Sequence, residues 1–157
     1  MTERTVRHST IVVERSYDVP ASRVYAAWSD VAQRRQWDVP GDDWVIHEHQ
    51  QDFRIGGRES SRFGPKGGPV YKSEGSYLDI VPNARIISAG TMHSGETRIS
   101  TTLCTIELIA DGSRTRVIVT DQSAFLDDLE KPDDRAGGWG SILDNLEAYF
   151  KKRAAAN

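Results

Sequence analysis

The stretch Gly137 to Lys152, GGWGSILDNLEAYFKK, limits the fold of this chain more than any other. Trp139, Ile142, Leu143, Leu146, Tyr149 and Phe150 recur at the i, i+3, i+4, i+7 spacing of one helical face. Ser141, Asp144, Asn145, Glu147, Lys151 and Lys152 take the opposite face, with the lysines where the helix dipole favours cations. So wide an aromatic stripe needs a broad apolar surface to lie on. Between the first helix and this one the chain reads as strands and turns, so a sheet must supply that surface.

The preceding elements follow from pattern and punctuation. Thr10 to Val19 alternates as a strand, and Pro20 suits the first turn of a helix over Ala21 to Val31, which carries Val24, Trp28 and Val31 at helical spacing. AQRRQW continues as a second short helix with Trp37 turned inward, near a cavity entrance. Strands are expected over Trp44–Phe53, Arg58–Phe63, Val70–Val81, Arg85–Met92, Thr97–Ala110 and Thr115–Ser123. Gly56-Gly57 reads as the bend that lets a sheet curl, GPKGGP as a loop, and Pro82-Asn83 and Asp111-Gly112 as hairpin turns. AFLDDLEKPDD reads as a surface loop ending in a cap at Asp133 or Asp134. Successive hairpins imply an antiparallel sheet, and strands grouped between helices imply an α+β fold.

The chain of 157 residues suits one domain, 1–157, with residues 1–8 and 153–157 expected to fray. A net charge of -3 carries no nucleic-acid footprint, and no apolar run is long enough to span a membrane. The single cysteine, Cys104, rules out an internal disulfide, and the N-terminus lacks the apolar core of a signal peptide; both suit the cytoplasm.

RSYDVPASRVYAAWSD, DFRIGGRE, YKSEGSYLDIVPNARII, TDQSAFLDD and GGWGSILDNLEAYF together resemble the SRPBCC (START/Bet v-like) superfamily, and within it the activator of heat-shock-protein-90 ATPase (Aha-type) and polyketide cyclase-like group. TDQSAFLDD is similar to the TEQGAFLDG-type segment of bacterial members, with Asp121 in place of glutamate and Ser123 in place of glycine. The resemblance implies a helix-grip fold, a curved antiparallel sheet wrapped around the long C-terminal helix after two short helices. It also implies a cavity between helix and sheet that holds a hydrophobic or aromatic small molecule, without a cofactor. Alternatives are a cyclase or dehydratase acting through a pocket carboxylate or histidine, and a module that docks on a chaperone or other partner. Exposed strand edges leave a homodimer open.

Candidate site residues follow from residue type and place. Trp37, Phe53, Tyr71, Tyr77, Met92, Trp139, Leu143 and Leu146 are expected to form the cavity wall, with Glu74, His93 and Gln122 as polar anchors. Glu74, His93 and Asp121 are the candidates for general acid or base, since burial would raise a carboxylate and a histidine needs little shift. His47 and His49 would share a strand face, but two ligands fall short of a catalytic metal site, so no metal is expected. Gly137, Gly138 and Gly140 are expected to let the helix start approach the sheet or a ligand.

Overall fold

The computed structural model describes residues 3–156. In chain order the elements are β1 (Val6–Tyr17), α1 (Ala21–Ser29), α2 (Val31–Arg34), β2 (Trp44–Gln51), β3 (Arg58–Pro65), β4 (Tyr71–Val81), β5 (Arg85–Ser94), β6 (Thr97–Asp111), β7 (Arg114–Leu126) and α3 (Pro132–Ala156). The strands form one antiparallel sheet in the order β1-β7-β6-β5-β4-β3-β2. Only the β1–β7 pairing is non-local, so the chain closes the sheet by bringing its first strand beside its last. This is the expected α+β helix-grip architecture, with α3 laid against the concave side.

Local chemistry explains the element ends. Pro20 stands at the N-cap of α1, where its carbonyl receives the Arg23 and Val24 amides. The Asp30 carboxylate accepts the Ala32 amide at 3.0 Å and caps α2. Asn83 and Gly112 take left-handed backbone in their hairpin turns. The segment expected as a loop before α3 instead splits. Ala124 to Leu126 finishes β7, and Pro132 opens the helix with Asp133 and Asp134 in its first turn, where the dipole favours acids. Elements also reach further outward than expected, from Val6 at one end to Ala156 at the other.

The register decides which strand face looks inward. Buried Val117, Val119, Asp121, Ser123 and Phe125 of β7 lie across from Leu108, Ile106, Cys104, Thr102 and Ser100 of β6, so that parity of β6 is the inner one. A bulge at Leu78 shifts the end of β4 by one residue. Asp79, which strict alternation from Tyr77 would turn inward, therefore turns outward to Arg85, and Ile80 packs against the core.

The solid core occupies one part of the concave face. Ile86, Ile106, Val117 and Val119 meet Val24, Ala27 and Trp28 of α1 and Leu143, Leu146 and Phe150 of α3. Trp28 and Trp37 pack edge to face with ring centroids 4.7 Å apart, and Trp37 donates its indole N–H to the Ala27 carbonyl. The Tyr17 hydroxyl donates to the Leu143 carbonyl at 2.8 Å and fastens β1 to α3.

Gly56-Gly57 lies between strands and not within one. Gly56-Gly57 forms the tight β2–β3 connection, with Gly56 at φ 84°. The close approach within the sheet is at Gly75 and Gly90, directly opposite each other on β4 and β5. Of the three helix-start glycines only Gly140 lies near the sheet, where a Cβ would meet Arg15 Nη2 at 3.4 Å. A Cβ at Gly137 or Gly138 would meet nothing within 4 Å. Gly137→Ala is therefore expected to raise stability by about 0.7 kcal/mol, read as a higher urea midpoint at unchanged slope. A loss of stability would show that the first turns of α3 must flex.

Candidate functional site

Beyond the solid core, the inner face of the sheet changes character. The row one step on from the Ile106–Val119 row runs Asp121, Cys104, Ser88, Tyr77. The next runs Ser123, Thr102, Gly90, Gly75, Glu59, Gln51, and the next Phe125, Ser100, Met92, Ser73, Ser61, His49. Serine, threonine, cysteine and glycine at the centre of a concave sheet leave space that a core would fill with branched side chains. Ser73, Gly75, Ser88, Gly90 and Thr102 are accordingly half-buried although they face inward. At the open end of β2–β4 the rings of Trp44, Phe63 and Tyr71 stack at 5.9 to 6.1 Å and are also half-buried. By their size and half-burial, these residues outline a recess with a glycine floor and an aromatic end.

One side of the recess carries a polar cluster delivered by α2. Arg34 Nη1 donates to Glu59 Oε2 at 2.7 Å, to Gln51 at 3.0 Å and to the Tyr77 hydroxyl at 3.2 Å, while its Nε donates to Asp38 at 2.9 Å. The Tyr77 hydroxyl sits 2.7 Å from Glu59 Oε2, and Gln51 in turn donates to the Trp28 and Ser29 carbonyls. Burial opposes the Arg34 charge, but Glu59 and Asp38 outweigh it and hold its pKa well above the ordinary value. Burial also opposes the Glu59 charge, and the Arg34 guanidinium reverses that, leaving Glu59 below the usual carboxylate range. Burial, resisted by Arg34, raises Asp38, and burial raises the Tyr77 phenol.

His49 adjoins this cluster, 5% exposed, and neither ring nitrogen has a hydrogen-bond partner among the described residues. Burial, aided by the Arg34 charge, lowers its pKa to about 4. The unfolded chain therefore takes up this proton near pH 6.5 while the native protein resists it until about pH 4. The His49 contribution is complete above pH 6.5 and is lost as pH falls to about 4, by about 3 kcal/mol. Stability measured against pH for the protein and for His49→Gln should diverge over that window. Parallel curves would contradict the buried neutral imidazole.

The other side of the recess is tied to α3. Asp121, 1% exposed, accepts from Arg135 at 3.0 Å, from the Trp139 indole at 2.9 Å and from the Ser123 hydroxyl. Arg135 also donates to Ser100 at 2.7 Å and pairs with Glu130 at 2.6 Å, and its guanidinium lies 5.3 Å from the centre of the Phe125 ring. Burial opposes the Arg135 charge, yet Glu130 and Asp121 raise its pKa. This network fixes the start of α3 and the Trp139 ring over the sheet. Between the two clusters, burial and then the Asp121 charge hold the Cys104 thiol above its usual range, so it is neutral.

A family model for activator of Hsp90 ATPase homolog 1-like proteins matches residues 18–151. The chain belongs to this family. A protein structure from Rhizobium leguminosarum is similar at 38% identity and TM-score 0.89, over 96% of this chain and 99% of that one. The Mll3558 protein from Rhizobium loti is similar at 39% identity and TM-score 0.83, over 92% and 99%. An AHSA1-like protein from Aeromonas hydrophila shares the fold, at 20% identity and TM-score 0.71 over 93% and 94%. No curated protein matches the chain.

In this member of the AHSA1-like family, several expected site residues fall elsewhere. Glu74 and Gln122 lie on the outer face, by strand parity, and Glu74 pairs there with Lys72 at 2.9 Å. His93 lies opposite Lys72 in the unbroken β4–β5 register, one step on from inward Met92, and so falls on the Glu74 side. Asp121 does face inward, but its carboxylate is committed to three donors. Trp37, Leu143 and Leu146 are sealed in the core at 1%, 0% and 0% exposure and offer no surface to a ligand. Phe53 wedges between Tyr25 and Tyr77, whose own ring is 2% exposed. Tyr71, Met92 and Trp139 remain half-buried on the recess side. The bulge after Ile46 leaves His47 exposed and His49 inside, so the pair does not share a face. Among the described residues no group of three metal-ligating side chains occurs. Arg34, Asp38 and Glu59 were not expected, and only the inward parity of Glu59 among serines could have marked it.

Proposed function

We propose that this protein binds a small hydrophobic or aromatic molecule in the recess between α3 and β3–β6. The observation that carries this is the run of small residues, Ser73, Gly75, Ser88, Gly90 and Thr102, on an inward face that the core leaves unfilled. The stacked Trp44, Phe63 and Tyr71 at one end suit a flat ring system. The family's folded frame supports the reading, since the matched region covers β3–β6 and all of α3 but its last residues, and leaves out only β1 and the chain ends.

A second reading is an enzyme of the cyclase or dehydratase kind. One observation favours it: Glu59 is an enclosed carboxylate beside the glycine floor, one oxygen of which accepts no hydrogen bond among the described residues. Native mass spectrometry on protein purified gently from its own host tests both. A retained compound of low mass, lost in Ser88→Phe, supports binding. The same compound returned chemically altered, with Glu59→Gln inactive, supports the enzyme. Repeated absence of any compound, together with capture of a protein through the exposed Val12 and Leu103 face, would contradict both in favour of a partner module.

A further inference from the structure

The polar cluster beside the glycine floor leaves a definite set of atoms unused. Glu59 Oε1, Asp38 Oδ1 and Arg34 Nη2 make no hydrogen bond among the described residues, and none is sealed from solvent. His49 adds an imidazole that is more than nine-tenths buried, with Nδ1 sealed and neither nitrogen partnered among the described residues. A buried polar side chain with no partner is uncommon and calls for a group that completes it. Because Arg34 Nη1 bonds to Glu59, Gln51 and Tyr77, all inward-facing, these atoms gather at the edge of the floor.

Charge sets what they can accept. Arg34 is the one cation ion-paired with the two carboxylates of Asp38 and Glu59, so that ion-paired group carries a net negative charge; Arg35 acts through space on His49, which is neutral, and makes no ion pair with either acid among the described residues. Two unused carboxylate oxygens favour hydrogen-bond donors and cations, and they repel a carboxylate or phosphate despite the nearby guanidinium. In the same row Gly75 and Gly90 place two strands of bare backbone next to Glu59 before Thr102 is reached. Three strand spacings make that interval about 14 Å, room for a flat ring body lying beside the acid.

We propose that Glu59, Asp38 and His49 form the recognition head for a ligand whose polar end is donor-rich and uncharged or cationic, a polyphenol or an aromatic amine, with its ring over the Gly75–Gly90 floor. This rests on the recess-binding reading above and names the ligand class for it. The test uses three probes with one ring body: 2,3-dihydroxynaphthalene, 1-naphthylmethylamine and 1-naphthoate, titrated into the full chain at neutral pH by calorimetry with amide shift mapping. The diol and the ammonium are expected to bind roughly tenfold or more tightly than the carboxylate, with shifts at Gly75, Gly90 and Ser61. Glu59→Gln should narrow that gap. Asp38→Asn, at a less central member of the cluster, should do the same, so one misfolded variant does not remove the test. Naphthoate binding as tightly as the others at the same residues would overturn the head assignment and leave recess binding intact. No binding by any of the three would overturn both.

Discussion

Asp121→Ala is expected to destabilise the protein by about 3 kcal/mol and to free the Trp139 ring. Asp121 is a buried carboxylate that holds Arg135, the Trp139 indole and Ser123 at once. Removing it leaves a largely buried guanidinium with Glu130 as its remaining charge partner, and leaves an indole N–H unpaired. Breaking one side of a buried ion pair costs several kcal/mol, and the retained Glu130 contact reduces that here. Denaturant unfolding measures the loss, and tryptophan fluorescence anisotropy reads the loosening of Trp139. A fall of under about 1 kcal/mol would show that Glu130 alone fixes Arg135 and that Asp121 is free for chemistry.

Gly90→Ala is expected to cost about 3 kcal/mol for a different reason, overpacking between the paired strands β4 and β5. A Cβ there would stand 2.1 Å from the Glu74 carbonyl oxygen and 2.9 Å from the Gly75 Cα, both backbone atoms of the paired strand. Neither can rotate away as a side chain would, so β4 and β5 must separate where they form the recess floor. The urea midpoint should drop, and any compound bound by the native protein should be lost with it. A variant of unchanged stability and binding would mean that the strands have slack at this point.

The architecture was legible in the sequence because it rests on periodicity and punctuation. The α3 stripe, the hairpin at Asp111-Gly112 and the strand-to-helix step at Pro20 each declare themselves within a few residues. The site was less so, for two physical reasons. Bulges at Leu78 and after Ile46 each add a residue to one strand, and each reverses the parity on which an inward assignment depends. Glu74 was misassigned for a simpler reason, since its strand alternates polar residues on both faces. The second reason is that large aromatics were the expected cavity wall. Trp37, Leu143 and Leu146 instead fill the core, while the recess is made by what is missing, the side chains of Gly75 and Gly90 and the bulk that Ser73 and Ser88 lack. Small residues carry little sequence signal, and the Arg34–Glu59 pair joins residues that no local pattern connects.

Ligand binding by this protein requires that the space above the Gly75–Gly90 floor be real and occupied. A high-resolution crystal structure of the protein as purified from its host measures that directly. The expected result is ordered density, from a compound or a chain of waters, bounded by Glu59, Trp139 and Met92 and touching His49 Nε2. Side chains of α3 packed down onto Gly75 and Gly90, with Ser88 and Thr102 sealed and no density between, would contradict it.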